Sequence, residues 1–170
     1  MRTLHPFSWV VLGLLLFGCG KGRGDAESAQ SAAMHQYVSP TDGFTIMVPR
    51  DPDVLGRQFA KYRFYSADMK ELLLELSVSA IPLIYDQLPP GRNLDQLEQA
   101  YKGEPGAVVA VTPITLQGAT GREFDITAGR RAPIRMRIFL AHQRMYSLDF
   151  NPNIPHAIEI ADSFLFQFSM

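Results

Sequence analysis

The stretch "GREFDITAGRRAPIRMRIFLAHQRMYSLDF", residues 121–150, decides the fold. Its apolar side chains fall largely on even numbers: Phe124, Ile126, Ile134, Met136, Ile138, Leu140, Tyr146, Leu148 and Phe150. The odd positions carry Glu123, Asp125, Arg135, Arg137 and Asp149. A period of two marks strands with one buried face. Short connections between the three runs make them antiparallel neighbours. Directly opposed residues share a face, so even must pair with even across the first connection. That requires an odd-length loop, or a bulge, at Gly129-Arg130-Arg131. Pairing Ala128 with Ala132 then sets Asp125 opposite Arg135 and Glu123 opposite Arg137, an interleaved ladder of opposite charge. The expectation is that the even residues of all three strands face the core and the odd residues face outward.

Upstream, "FTIMV" (44–48) alternates in the same way and is stopped by Pro49. "KYRFYSAD" (61–68) and "LLLELSVSAIPLI" (72–84) read as two further strands. The second is apolar at most positions, as in a central strand covered on both faces. In "NLDQLEQAYK" (93–102) the period changes: Leu94, Leu97 and Tyr101 recur at helical spacing behind Asn93 as N-cap, and Gly103 and Pro105 end the helix. "VVAVTPITLQG" (108–118) is a strand that Pro113 confines to an edge or interrupts. At the C-terminus Ile154, Ala157, Ile158, Ala161 and Leu165 form a helical stripe with Pro155 in its first turn, and an extended tail follows from about Ser163.

At the other end, "MRTLHPFSWVVLGLLLFGCG" (1–20) puts a short apolar run behind Arg2 and ends it at Gly18-Cys19. As a helix the run from Pro6 to Gly18 measures roughly 20 Å, short of the ~30 Å hydrocarbon core. It therefore reads as a secretory signal rather than a span. Leu16-Phe17-Gly18-Cys19 resembles a bacterial lipobox. That resemblance implies cleavage before Cys19, diacylation of its sulfur and a membrane anchor; the alternative is a free thiol in an uncleaved apolar anchor. Several acyl chains give the stable attachment that one cannot. Cys19 is the only cysteine, so the exported domain carries no disulfide and must stand on its core. Gly20, where many lipoproteins kept at the inner membrane of enteric bacteria have Asp, points to the outer membrane. Residues 19–36 are the lipidated Cys and a tether of Gly, Ser, Ala and charge, read as coil or as a weak Ala-rich helix, and 37–170 is a single domain. The formal charge of −1 becomes −2 once Arg2 is removed, which argues against nucleic acid as a partner.

The order is three strands, a helix, four strands and a helix. With "DGFTIMVP" at the start, residues 121–150 in the middle and "ADSF" near the end, it resembles the PsbP-like family, in the lipoprotein architecture of its DcrB-like members. The resemblance covers about residues 37–168. It implies an α+β fold, an antiparallel sheet of about six to seven strands flanked by helices. It also implies non-enzymatic roles in binding or assembly; the functions of its members differ, so it transfers no functional residue.

Catalytic signatures are missing from the sequence. His5, His35, His142 and His156 lack metal-ligand spacing, and neither a GxSxG elbow nor a Walker loop occurs. No catalytic residue, metal or cofactor is expected. The candidate interaction surface is Arg130 and Arg131 at a hairpin tip with Arg135 and Arg137 of the ladder. The expected role is a lipid-anchored, monomeric binding or assembly module facing the periplasm, with an envelope protein as partner. The alternative is a carrier holding a small apolar ligand beside Phe164, Phe166 and Phe168.

Overall fold

The computed structural model describes residues 33–56, 59–81, 89–103, 107–128 and 133–167. These residues belong to one compact unit, Ala32–Met170. In chain order its elements are β1 (His35–Val38), β2 (Phe44–Val48), β3 (Asp53–Leu55), β4 (Ala60–Tyr65), β5 (Leu72–Ala80), α1 (Pro90–Lys102), β6 (Ala107–Leu116), β7 (Ala119–Ala128), β8 (Ile134–Ala141), β9 (Arg144–Phe150), α2 (Ala157–Asp162) and β10 (Leu165–Phe166). Seven antiparallel strands form the main sheet in the order β3-β4-β5-β9-β8-β7-β6. A second sheet, β1-β2-β10, joins the first and last strands of the domain. The α+β architecture expected from the sequence is present, with a small sheet added.

The β7–β8 ladder has the expected register: Asp125 faces Arg135 and Glu123 faces Arg137. The connection itself, with Arg130 and Arg131, lies outside the described residues. The β8–β9 hairpin corrects the rest of the expectation. Its two-residue turn, His142-Gln143, has φ of 52° and 59°, the left-handed pair of a type I′ turn. A two-residue loop pairs odd with even, so Arg137 faces Leu148 and Phe139 faces Tyr146. The even residues of β9 consequently share a face with the odd residues of β8, and the period-two pattern changes sides at the turn.

Both faces of the sheet are therefore packed. On one, Tyr62, Phe64, Leu74, Leu76, Val78, Phe139, Tyr146, Leu148 and Phe150 meet β2, α2 and β10 through Phe44, Ile46, Val48, Ile160, Phe164 and Phe166. On the other, Phe124, Met136, Ile138 and Leu140 meet Leu94 of α1, with Leu97 and Tyr101 beside it. The second face of β5 carries Glu75, Ser77 and Ser79, so this strand is apolar on one side only, not covered on both as its composition suggested.

Local details shift similarly. β1 opens at His35, two residues ahead of the expected domain start, and His35 bonds Asp51 at 2.9 Å. Helix α1 begins at Pro90 behind Pro89, an N-terminal turn that needs no donor from proline; Asn93 is buried inside it and is not the cap. Helix α2 starts only at Ala157, after His156 with φ 65°, so Pro155 precedes it. It buries Ala157, Ile160 and Ala161 and leaves Ile158 exposed, and because the chain leaves the helix at Ser163, Leu165 of the expected stripe lies in β10 instead.

Candidate functional site

A polar assembly lies where the β1–β2 turn meets the main sheet. Gly43, at φ +63°, lets the turn at residues 39–43 close, and Ser39 N–H bonds Phe44 C=O at 2.9 Å. This places Asp42 over β4 and β9. Its Oδ2 accepts from the Tyr62 hydroxyl and, at 3.1 Å, from Thr41 Oγ1; its Oδ1 accepts from Arg144 Nη1 at 2.6 Å. Arg144 Nη1 also donates to Thr41 C=O at 3.2 Å, and Tyr146 donates to Asp42 C=O at 2.9 Å. Asp42 N–H donates to Ser39 Oγ at 3.0 Å, and Ser39 Oγ lies 3.1 Å from Tyr62 Oη. With Tyr62 donating to Asp42, the hydroxyls run in one direction around a closed ring. Burial, then the hydrogen bond to Asp42, pushes the Tyr62 phenol up to about 12. It stays protonated at neutral pH, as the ring requires.

Short-range reasoning missed this assembly. Asp in a turn ordinarily bonds its own backbone, but Asp42 takes partners 20 and 102 positions away. The legible signal was Gly43 after Asp42, which marks a turn and not its target. The carboxylate accepts three donors, so it serves to fasten the small sheet to the main one. Beside it opens a cleft of ≈ 710 Å³. Its polar lining includes Thr41, Asp42, Tyr62, His142, Gln143 and Arg144, with Val54, Ala60 and Val78 between them. That mixture suits recognition of a polar or amphipathic group.

The charge ladder forms a second assembly, and it is not on an outward face. Because of the β8–β9 turn it shares the face of the main core, beyond the end of α2. Arg137 donates from Nε to Glu123 at 2.6 Å and from Nη1 to Asp162 at 2.6 Å, with its guanidinium 5.5 Å from the Phe150 ring centre. Arg135 bonds Asp125 at 2.7 and 3.2 Å and stands 3.6 Å from Glu123. The bond to Asp125 raises the Arg135 pKa further. Next to the ladder a groove of ≈ 290 Å³ runs between β6 and α2 over Ile114, Leu116, Phe139 and Phe164.

Arg135 and Arg137 are thus brought together with three carboxylates. Cys19, Arg130 and Arg131 lie outside the described residues, as does Phe168. Phe164 and Phe166 are core: the centroids of Phe139, Tyr146, Phe164 and Phe166 stand 5.1–6.2 Å apart wherever they pair. Phe164 also shares the floor of the groove with Phe139. Among the described residues no three His, Cys, Asp or Glu side chains are grouped to hold a metal ion, and no helix is long and apolar enough to cross a membrane.

No protein-family model and no curated protein matches the sequence. Among solved structures, the chain is similar to the solution structure of cyanobacterial PsbP (CyanoP) from Synechocystis sp. PCC 6803. The TM-score is 0.50 at 14% identity, over 85% of this chain and 98% of that one. Sequence identity so low speaks to architecture alone. The small sheet, the seven-stranded antiparallel sheet and the two helices make up a PsbP-like α+β fold.

Proposed function

We propose that this protein is a lipid-anchored, non-catalytic binding or assembly module of the bacterial cell envelope, held through Cys19 and facing the periplasm from the outer membrane. The observation that carries the reading is the apolar run ending at Gly18-Cys19, ahead of a single domain with a PsbP-like fold. The state of the cleft supports the non-catalytic part. Asp42 and Tyr62 at its wall are engaged with each other, with Thr41 and with Arg144 in holding the turn. The cleft and the groove beside Arg137 each offer a surface to a partner.

The test is Cys19→Ser expressed in a bacterial host. Wild type should incorporate labelled palmitate and sediment with the outer membrane. The variant should lose the label, remain unprocessed and leave that fraction. Equal labelling of the two would refute the anchor.

A further inference from the structure

We propose that the free edge of β6 is a docking site for an extended segment of another protein, apolar at alternate positions and carrying a Lys or Arg. This deepens the binding-module reading and rests on it, but not on the anchor. The two edges of the main sheet differ. β3 is three residues long, begins with Asp53 and is followed by Gly56 at φ +85°, so it offers little to pair with. β6 runs for ten residues, AVVAVTPITL, without a charge, and no described strand pairs with its outer side. Edge strands of that length are ordinarily blunted by charge. Here the one interruption is Pro113.

Pro113 also sets which backbone groups face out. It pairs with Arg122 of β7 and has no N–H to give, so its nitrogen belongs on the outer side. Backbone direction alternates along a strand. Thr112 and Ile114 then bond β7, while Val109 and Val111 present N–H and C=O outward. Their side chains remain packed against the cluster under α1, which anchors the edge to the core. An added strand would find four aligned backbone groups on two core-anchored residues.

The groove supplies the side-chain chemistry. Its floor is Ile114, Leu116, Phe139 and Phe164, on the same end of the sheet as the edge. At its rim and just beyond stand Glu123, Asp125 and Asp162 against Arg135 and Arg137. Among the described residues, three carboxylates against two guanidiniums leave one net negative charge, and Asp162 is more than half exposed. That charge selects a basic residue beside an apolar one on the incoming segment.

The test begins with amide exchange on the full chain. Val109 and Val111 should exchange fast, and the inward amides of Thr112 and Ile114 slowly. Displayed random dodecapeptides selected on the protein should show alternating apolar positions with a basic residue, and the synthetic peptide should slow exchange at Val109 and Val111. Val111→Pro removes an outward N–H without touching the β7 ladder and should weaken the peptide about tenfold or more. Val111→Thr, which keeps the N–H, should bind as wild type, and Asp162→Lys should weaken binding about tenfold or more. Slow exchange at Val109 and Val111 in the free protein would overturn the proposal, as would peptide binding unchanged by Val111→Pro. Protection that appears with protein concentration alone would mean that a second copy occupies the edge, and would overturn it too. Peptides that protect Arg144 instead would remove the edge site and leave the binding-module reading standing.

Discussion

Replacing Arg137 by Ala tests how the ladder is buried. Its side chain is 16% exposed, that of Glu123 17%, and that of Asp162 58%. On an outward face the substitution would cost less than about 1 kcal/mol, the value of an exposed pair. Removing one partner of a fully buried pair costs about 3–5 kcal/mol. The Arg137–Glu123 pair stands between these limits, and Glu123 retains Arg135 at 3.6 Å. The contact with Phe150 adds about 0.5–1 kcal/mol. Arg137→Ala should therefore destabilise by about 2–3 kcal/mol, interpolating between those limits. Asp162→Asn, at the exposed end of the same guanidinium, should cost under about 1 kcal/mol. Urea melts at neutral pH with unchanged m-values measure both. A double-mutant cycle with Glu123→Gln should return a coupling of about 1 kcal/mol or more. If Arg137→Ala lay within about 0.5 kcal/mol of wild type, the shared face of ladder and core would be refuted.

Three further outcomes follow from named contacts. In Gly121→Ala the added Cβ would sit 2.6 Å from Phe139 Cδ1 and 2.7 Å from Ile138 C=O; because the latter is backbone, the strand must shift, at about 1–3 kcal/mol in thermal or urea unfolding. Gln143→Gly should stabilise the β8–β9 turn by about 0.5–1 kcal/mol, since φ of 59° strains an L side chain; a loss of stability would contradict the type I′ geometry. Burial raises the Asp149 pKa above 3.8, helped by Glu75 directly across the ladder and opposed by the Ser147 hydroxyl and Lys61. A raised folded pKa favours folding below the unfolded value and penalises it as pH climbs through the folded one. Asp149→Asn should thus be more stable than wild type at pH 7 and gain nothing at about pH 3; the opposite slope would refute the assignment.

The alternation at 121–150 was enough to read three strands, and the Ala128–Ala132 pairing was enough to place Glu123 and Asp125 against their arginines. What it concealed was the change of face at His142-Gln143. Neither residue belongs to the Asn-Gly type that announces a two-residue turn, so only the backbone reveals that parity reverses there. The short strands β1 and β3 were missed because three or four residues carry too little period to stand out, while β10, two residues of the expected extended tail, takes its place only by pairing with β2 at the other end of the domain. Asp42 illustrates the same limit at the site. Its turn was legible, whereas Tyr62 and Arg144 reach it only through the packing of two sheets.

The intact mass of the protein purified from membranes of a bacterial host tests the functional account most directly. The mature chain should start at Cys19 and carry a diacylglyceryl group on its sulfur, with acyl chains released by thioether-sparing ester hydrolysis. A chain still beginning at Met1, or one starting at Cys19 with an unmodified thiol, would contradict it.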